Sequence, residues 1–153
     1  MADLNEKVLA ELDALVEHGR RTRKLRLSWS SVLAACEIGE YQVIPLTSSA
    51  ELREEGSAMR HCIGSHDVLC AAGTYLVFSI RNLDNKRLAT MSLVFDQFGW
   101  HLDQIKGLGN AEVIYTEGTF YSGERTETIR ECSDLYYIAQ EILRQCRLQA
   151  SYS

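Results

Sequence analysis

The sequence predicts an α+β domain, with a three-stranded antiparallel meander flanked by an N-terminal and a C-terminal amphipathic helix. In the middle of the chain, three segments rich in branched and aromatic residues follow one another across short polar breaks. Short connections of this kind join antiparallel neighbours. Towards both ends, apolar residues instead recur at helical spacing. Helices that flank an antiparallel sheet are typical of the α+β class.

The length and composition are those of a single globular domain. Of the 153 residues, 46% are hydrophobic and 24% charged, so we expect one domain over residues 1–153 with a helical extension over 1–39. No apolar run approaches the roughly 20 residues that span a bilayer, and the polar N-terminus is unlike a secretory signal. Five cysteines at irregular spacing indicate reduced thiols. We therefore expect a cytoplasmic protein without a membrane segment.

Two helices and a strand are predicted in the first third of the chain. The apolar stripe of the first helix consists of Leu4, Val8, Leu12, Leu15 and Val16. This helix is expected to stop at Gly19. A shorter helix is expected to include Cys36 and to end at Gly39. Residues 41–46 should form a short edge strand, because Pro45 lacks a backbone N–H.

The next segment is predicted to be helical, and the meander follows it. The capping box Ser48-x-x-Glu51 should open a helix that Gly56 interrupts. A short helix-like stretch then closes at Gly73. The three strands of the meander are expected over residues 74–81, 87–95 and 100–106. Strict alternation along the third strand places two sets of side chains on opposite faces: His101, Asp103 and Ile105 on one, and Trp100, Leu102, Gln104 and Lys106 on the other.

The chain is predicted to close with a strong amphipathic helix over about residues 127–148. Its apolar positions are Ile129, Cys132, Leu135, Tyr136, Ala139, Ile142, Leu143 and Cys146. Residues 112–125, which precede it, are expected to form a loop or a hairpin. Because a small sheet need not cover both terminal helices, self-association into a homodimer is a further hypothesis.

The dipeptide His61-Cys62 is the most distinctive local feature. Imidazole exchanges a proton near neutral pH, and a thiolate is both a nucleophile and a metal ligand. Neighbours in sequence do not automatically face each other, however, because adjacent side chains diverge on helices and on strands. The dipeptide therefore marks a candidate site without defining its chemistry.

The residues around this dipeptide resemble the PcfJ-like family. The resemblance covers about residues 46–110 and rests on Glu55-Gly56, Met59, His61-Cys62-Ile63-Gly64, Gly73, Ser79-Ile80-Arg81, Leu88-Ala89-Thr90-Met91-Ser92-Leu93 and Gln104-Ile105-Lys106-Gly107-x-x-Asn110. That family is associated with conjugative plasmids, phages and other mobile elements. The resemblance implies a mobile-element protein with a candidate site formed by His61, Cys62, Gln104, Lys106 and Asn110. One position differs, since His66 stands where the family usually has tyrosine.

Three chemistries are compatible with these residues. In a thiol enzyme, Cys62 would attack and a histidine would act as the base, with Gln104 or Asn110 orienting it or donating to an oxyanion. The candidate bases are His61, His66 and His101. In a metal site, Cys62, His66 and Cys70 would lie on one helical face near His61, although Gly64 disfavours a continuous helix there. In a purely structural role, favoured of the three, His61 and Gln104 would satisfy buried backbone groups while Cys62 fills an apolar gap. No motif implies a cofactor, and we assign no metal.

Charge gives a further prediction about partners. The net charge of −5 makes the chain a poor generic nucleic-acid binder. Five cations nevertheless fall within seven residues: Arg20, Arg21, Arg23, Lys24 and Arg26. This basic cluster is a candidate partner-binding surface, although most such runs are solvated helix ends. We expect a protein that binds a nucleic-acid-handling protein complex, either a host-defence (CRISPR-type) effector or a conjugation apparatus. The alternative is a thiol-dependent enzyme that uses Cys62 with a histidine base.

Overall fold

The computed structural model describes residues 9–13 and 26–151. Residues 9–13 are helical, and the rest of the predicted first helix lies outside the described residues. The α+β class is confirmed, since helices accompany an antiparallel sheet. No helix among the described residues is long and apolar enough to span a membrane.

The main sheet has five antiparallel strands, so the predicted three-stranded meander was too small. The strands lie in chain order: β1 (Cys36–Ile38), β2 (Tyr41–Pro45), β3 (Tyr75–Asn82), β4 (Arg87–Asp96) and β5 (Gly99–Lys106). The three predicted strands correspond to β3, β4 and β5 within one residue at each end. The sheet is larger because a two-stranded hairpin, β1–β2, pairs with the free side of β3.

This additional hairpin corrects the prediction for the end of the N-terminal extension. Cys36 lies in β1 and not in a helix, and residues 26–35 are not helical. Local helical spacing was outweighed by pairing, because Val43 of β2 is paired with both Cys36 and Ile80 and is completely buried. Strand β2 is therefore not an edge strand. Pro45 pairs with Phe78 of β3 and lies beyond the end of β1. No β1 residue therefore lies opposite Pro45 to need the N–H that proline lacks.

Helix α1 (Ser49–Met59) begins as predicted and continues through Gly56. The hydroxyl of Ser48 accepts a hydrogen bond from the Glu51 backbone N–H. The glycine does not interrupt the helix, because its missing side chain makes room for the following loop. A Cβ at position 56 would lie 2.9 Å from the carbonyl oxygen of His61. After α1 come a 3-10 turn (Ile63–His66) and the short helix α2 (Asp67–Ala71).

The C-terminal helix α3 (Asp134–Ser151) begins about seven residues later than predicted. The segment before it forms a separate antiparallel hairpin of β6 (Tyr115–Ser122) and β7 (Arg125–Cys132). Ile129 and Cys132 therefore belong to a strand, although their spacing suits a helix. The hydroxyl of Ser133 accepts a hydrogen bond from the Tyr136 backbone N–H at 3.2 Å, which favours helix initiation at this point.

The two faces of the main sheet pack differently. The face towards α3 carries an apolar cluster that includes Phe78, Met91, Leu93, Trp100, Ile105 and, from α3, Ile142 and Cys146. The opposite face packs against α1 and α2 through a smaller cluster of Leu46, Leu52, Ile63, Cys70, Tyr75 and Val77. Helix α3 thus buries its apolar stripe on one side of the sheet, and α1 and α2 occupy the other side.

An irregularity in β5 decides which of its side chains reach the α1 side. Ser92 pairs with Gln104 and Leu93 with Leu102, so Asp103 is an extra residue in the ladder. Ile105 consequently packs in the same apolar cluster as Trp100 and Leu102. Gln104 and Lys106 instead line a pocket on the α1 side. The predicted alternation was therefore wrong for Ile105, Gln104 and Lys106.

Candidate functional site

A pocket of about 140 Å³ lies where the loop after α1 meets β4 and β5. The five residues that the family resemblance pointed to, His61, Cys62, Gln104, Lys106 and Asn110, all contribute to its lining. His66, Thr90 and Ser92 add further polar groups to the wall, and Ile63 and Met91 add apolar ones. The fold thus brings together residues that are up to 49 positions apart in the sequence.

The end of α1 fixes the loop that carries His61 and Cys62. The His61 backbone N–H donates to the carbonyl oxygen of Gly56 at 3.0 Å. Arg60 turns the chain with left-handed backbone angles, φ 54° and ψ 52°, which are unfavourable for residues other than glycine. The loop can fold back this closely because residue 56 has no Cβ. Together these features press His61 against the sheet.

His61 is held by both of its ring nitrogens. Its Nε2 lies 2.8 Å from the hydroxyl oxygen of Thr90, and that hydroxyl donates its proton to Glu55 Oε2 at 2.5 Å. Nε2 must therefore carry the proton of the imidazole. Nδ1 is then the acceptor, and the Ile63 backbone N–H approaches it at 3.5 Å. Burial lowers the pKa of His61, and the nearby Glu55 carboxylate only partly opposes this effect.

Glu55 is the buried centre of this arrangement. Its side chain is 0% exposed, and it accepts hydrogen bonds from Ser79 Oγ at 2.9 Å and Arg87 Nε at 2.7 Å. The carboxylate is thus paired with a cation and surrounded by donors, as a buried charge requires. Sequence reasoning did not assign Glu55, Thr90 or Arg87 to the site. A signal was available, since Glu55 falls on the buried stripe of α1 between Leu52 and Met59.

Cys62 is exposed at the pocket, and its thiol is not joined to an imidazole. None of the hydrogen bonds among the described residues links its sulfur to His61, His66 or His101. His101 lies outside the pocket lining, where its Nε2 is 3.0 Å from Asp96 Oδ1. The structural hypothesis in which Cys62 fills an apolar gap does not fit its exposure.

The three ligands of the suggested metal site are not arranged to share an ion. Cys70 is buried in the apolar cluster under α2, and burial raises the pKa of its thiol to about 12. Cys62 is exposed, and the segment between the two cysteines changes from a 3-10 turn to an α-helix at Asp67. Among the described residues, no group of three or more His, Cys, Asp or Glu side chains could hold a metal ion.

His66 and Tyr75 form an aromatic side of the site. Their rings stack with centroids 5.0 Å apart. His66 Nδ1 is buried without a hydrogen-bond partner, which is less costly for a bare acceptor nitrogen than for an N–H donor. The tyrosine hydroxyl lies 2.7 Å from Ser92 Oγ and also hydrogen-bonds Asp103 Oδ2. Burial and the Asp103 carboxylate raise the pKa of Tyr75.

Lys106 and Asn110 close the pocket from the end of β5. The chain turns sharply after Lys106, because a Cβ on Gly107 would lie 2.7 Å from Val113 Cγ1. Asn110 then adopts a left-handed conformation with φ 62°. Among the described residues that line the pocket, Lys106 alone has a permanent charge, and none is a carboxylate.

The predicted basic cluster lies almost entirely outside the described residues. Arg20, Arg21, Arg23 and Lys24 lie outside the described residues. Arg26 is described and is exposed to solvent. The role of this cluster in partner binding stays a prediction.

The fold and the pocket define a small α+β protein with a polar site on one face of its sheet. The family model for PcfJ-like protein matches residues 9–120, which is more than half of the chain and includes the whole pocket. The chain therefore belongs to the PcfJ-like family. It has no significant match among the curated proteins or among the solved structures.

Proposed function

We propose that this protein acts by binding and that its partner is a protein complex that handles nucleic acid. The setting would be the cytoplasm of a bacterium that carries a phage or another mobile element. The target would be a host-defence effector of the CRISPR type or a conjugation apparatus. Membership of a family associated with mobile elements supports this setting. The net charge of −5 supports contact with a basic surface more than direct contact with nucleic acid.

The observation that carries a binding role is the state of His61. Nε2 is engaged with Thr90 at 2.8 Å, and Nδ1 faces the Ile63 backbone N–H at 3.5 Å, so the imidazole is oriented as part of the wall. A general base needs a free nitrogen within hydrogen-bonding reach of the proton that it takes. The polar groups of the pocket are therefore better arranged to receive a group from a partner than to activate the Cys62 thiol.

The test is a reconstituted complex. The tagged protein would be used to capture partners from bacterial lysate, and each captured complex would then be rebuilt from purified components. We expect stoichiometric assembly with the wild-type chain and with Cys62→Ser, and loss of affinity with Lys106→Gln. The matched control is Lys86→Gln, which removes an exposed lysine from the β3–β4 turn. A complex that requires the intact thiol would count against a binding role.

The basic cluster provides a second contact to test. Neutralising Arg20, Arg21 and Arg23 together should weaken the rebuilt complex if the cluster belongs to the interface. Unchanged affinity would remove the cluster from the proposal without affecting the pocket. Light scattering over a range of concentrations would test the homodimer hypothesis in the same preparations, and a monomer mass throughout would reject it.

A thiol-dependent enzyme is the second candidate, and the exposure of Cys62 is the observation that favours it. The thiol shares its pocket with His66 and with the amides of Gln104 and Asn110, which are suitable groups for a base and for oxyanion donors. Catalytic hydrogen bonds can also form only when substrate binds.

Turnover assays distinguish the two candidates. The purified protein would be incubated with nucleic acids, peptides and nucleotides, alongside Cys62→Ser and the control Cys132→Ser. Turnover that Cys62→Ser abolishes and Cys132→Ser preserves would establish the enzyme. Absence of turnover together with a rebuilt complex would favour binding.

A further inference from the structure

We propose that the pocket binds a phosphate group, held by Lys106 with help from His66 and Asn110. This inference rests on the proposed function only in treating the pocket as a binding site. It adds the chemical class of the group that the pocket receives.

The charges around the pocket favour an anion. Lys106 is half-buried, and no ion pair or hydrogen bond engages its ammonium group within the described part of the chain. The buried carboxylate of Glu55, which bonds Thr90 of the pocket wall, is already paired with Arg87 at 2.7 Å and also accepts from Ser79. An ammonium group that is partly shielded from water and has no carboxylate beside it attracts an external anion.

Two other carboxylates near β5 are also engaged elsewhere. Asp103 accepts the hydroxyl of Tyr75 and does not line the pocket. Glu112, whose backbone pairs with Lys106, uses Oε1 to accept the Ile114 backbone N–H at 2.7 Å. Among the described residues, none of these carboxylates forms an ion pair with Lys106.

The uncharged groups of the wall can supply hydrogen bonds to the same anion. His66 lines the pocket, and its Nδ1 is buried without a hydrogen-bond partner. An imidazole carries at least one N–H in either protonation state, so this ring can donate to a bound group. The Asn110 side chain provides an amide donor at the mouth. Hydrogen-bond donors that line the same pocket as a lysine suit an anion with several acceptor oxygens.

The size of the pocket suits a small anion such as phosphate. A volume of about 140 Å³ corresponds to a few water molecules, since each occupies about 30 Å³ in the liquid. This is below the roughly 300 Å³ at which drug-sized ligands fit. No arginine is among the described residues that line the pocket, so the planar guanidinium fork that binds carboxylates and phosphates in a bidentate manner is missing. Lysine instead binds phosphate as a point charge.

The test is an amide NMR titration of the full chain with inorganic phosphate at constant ionic strength. We expect saturable shifts at the pocket, centred on Ile63, Ser92 and Gln104. Lys106→Gln should weaken binding by about tenfold or more, because a hydrogen bond to a charged group is lost. Lys86→Gln should leave the affinity unchanged. Lys106→Arg should retain part of the affinity, which distinguishes loss of charge from loss of folding.

Several outcomes would overturn the proposal. One is an absence of saturable shifts up to tens of millimolar phosphate, and another is equal weakening by Lys106→Gln and Lys86→Gln. Acetate that binds as tightly as phosphate would also reject the assignment. Dimethyl phosphate serves as a further probe. If dimethyl phosphate binds as well as inorganic phosphate, the group that the pocket receives is a phosphodiester of a nucleic-acid backbone. If it binds much more weakly, that group is a free or terminal phosphate.

This titration is separable from the test of partner binding. A partner complex that assembles while phosphate fails to bind would discard the phosphate assignment alone. Phosphate binding without any partner complex would retain the pocket as a ligand site and discard the proposed partner.

Discussion

The two faces of the five-stranded sheet use the same strands for different purposes. Towards α3, alternate residues of β3 and β4 are apolar, including Phe78, Ile80, Met91 and Leu93, and they form the larger buried cluster. Towards α1, the residues between them are largely polar, as with Ser79, Thr90 and Ser92, which are also buried. The α3 face is packed by the larger apolar cluster, whereas the α1 face combines a smaller apolar cluster with a buried carboxylate and its hydrogen-bonding partners.

This difference has a consequence for stability. Buried polar groups must each find a partner, and a network that is only partly satisfied destabilises a protein more than an apolar core does. The polar face tolerates Glu55 because Arg87, Ser79 and Thr90 all bond to it. We infer that the α3 face supplies most of the folding free energy and that the α1 face positions the pocket.

The largest effect is expected from truncating the apolar face. Phe78 is completely buried in the cluster under α3, and Phe→Ala changes in cores cost about 4 kcal/mol. Phe78→Ala should lower the free energy of unfolding by this amount in urea titrations. Because Phe78 does not line the pocket, the folded fraction should keep its phosphate affinity. Loss of that affinity in folded protein would show that the two faces are not separable.

A somewhat smaller effect is expected from breaking the polar network at Glu55. Glu55→Ala should cost about 3 kcal/mol, because Arg87 and two hydroxyl groups lose their buried partner. This value is at the low end for buried pairs, since the Arg87 side chain is 23% exposed. In contrast to Phe78→Ala, this change should also impair the pocket by releasing Thr90 and His61.

Glu54→Ala is the matched control for this prediction. Glu54 contacts the same arginine at 3.3 Å, but its side chain is 71% exposed, and exposed ion pairs contribute only about 0–1 kcal/mol. Equal losses for the two carboxylates, measured by urea unfolding, would contradict the view that burial makes Glu55 important.

A third prediction concerns the contact between α1 and the loop of the site. Replacing a glycine inside a helix by alanine normally stabilises the protein by up to about 1 kcal/mol. Gly56→Ala should instead destabilise the protein by about 2 kcal/mol, because its Cβ would lie 2.9 Å from the His61 carbonyl oxygen. Gly64→Ala is the control, since its Cβ would meet Arg53 only at ordinary contact distances of 3.4 Å to the side chain and 3.5 Å to the backbone. A stabilised Gly56→Ala protein would show that this approach is not close in solution.

The sequence predicted the strands of the meander well and missed how the sheet is completed. Residues with period-two patterning and turn residues between them define β3, β4 and β5 locally. Strand β1 could not be recognised in this way, because Cys36–Ile38 is only three residues long and depends on its partners for pairing. Ile129 and Cys132 match a helical period equally well, and only the hairpin with β6 assigns them to a strand.

The composition of the site was partly accessible from sequence, and its chemistry was not. The family motifs pointed to residues on a loop and on β5, which the fold brings into one pocket. The hydrogen-bond partners in the site depend on the extra residue Asp103 in β5 and on how closely α1 packs against the sheet. Neither feature produces a periodic pattern in the sequence. Glu55 could have been suspected, because a carboxylate on an apolar stripe requires a buried partner.

The smallest effect is expected from the titration of His61, and it tests the polar face alone. Burial lowers the pKa of His61 below its ordinary 6.5 in the folded protein. Between the folded pKa and the ordinary pKa of 6.5, the unfolded state binds more protons than the folded state. The contribution of neutral His61 to stability is therefore complete above about pH 6.5 and is lost as the pH falls towards the folded pKa. Protonation would also place an N–H on Nδ1 against the Ile63 N–H. The free energy of unfolding, measured in urea, should therefore decline between pH 7.5 and pH 5. We expect a smaller decline in His61→Gln and an undiminished one in the control His101→Gln. If His61→Gln left the decline intact, the imidazole would not be the neutral group that the polar face requires.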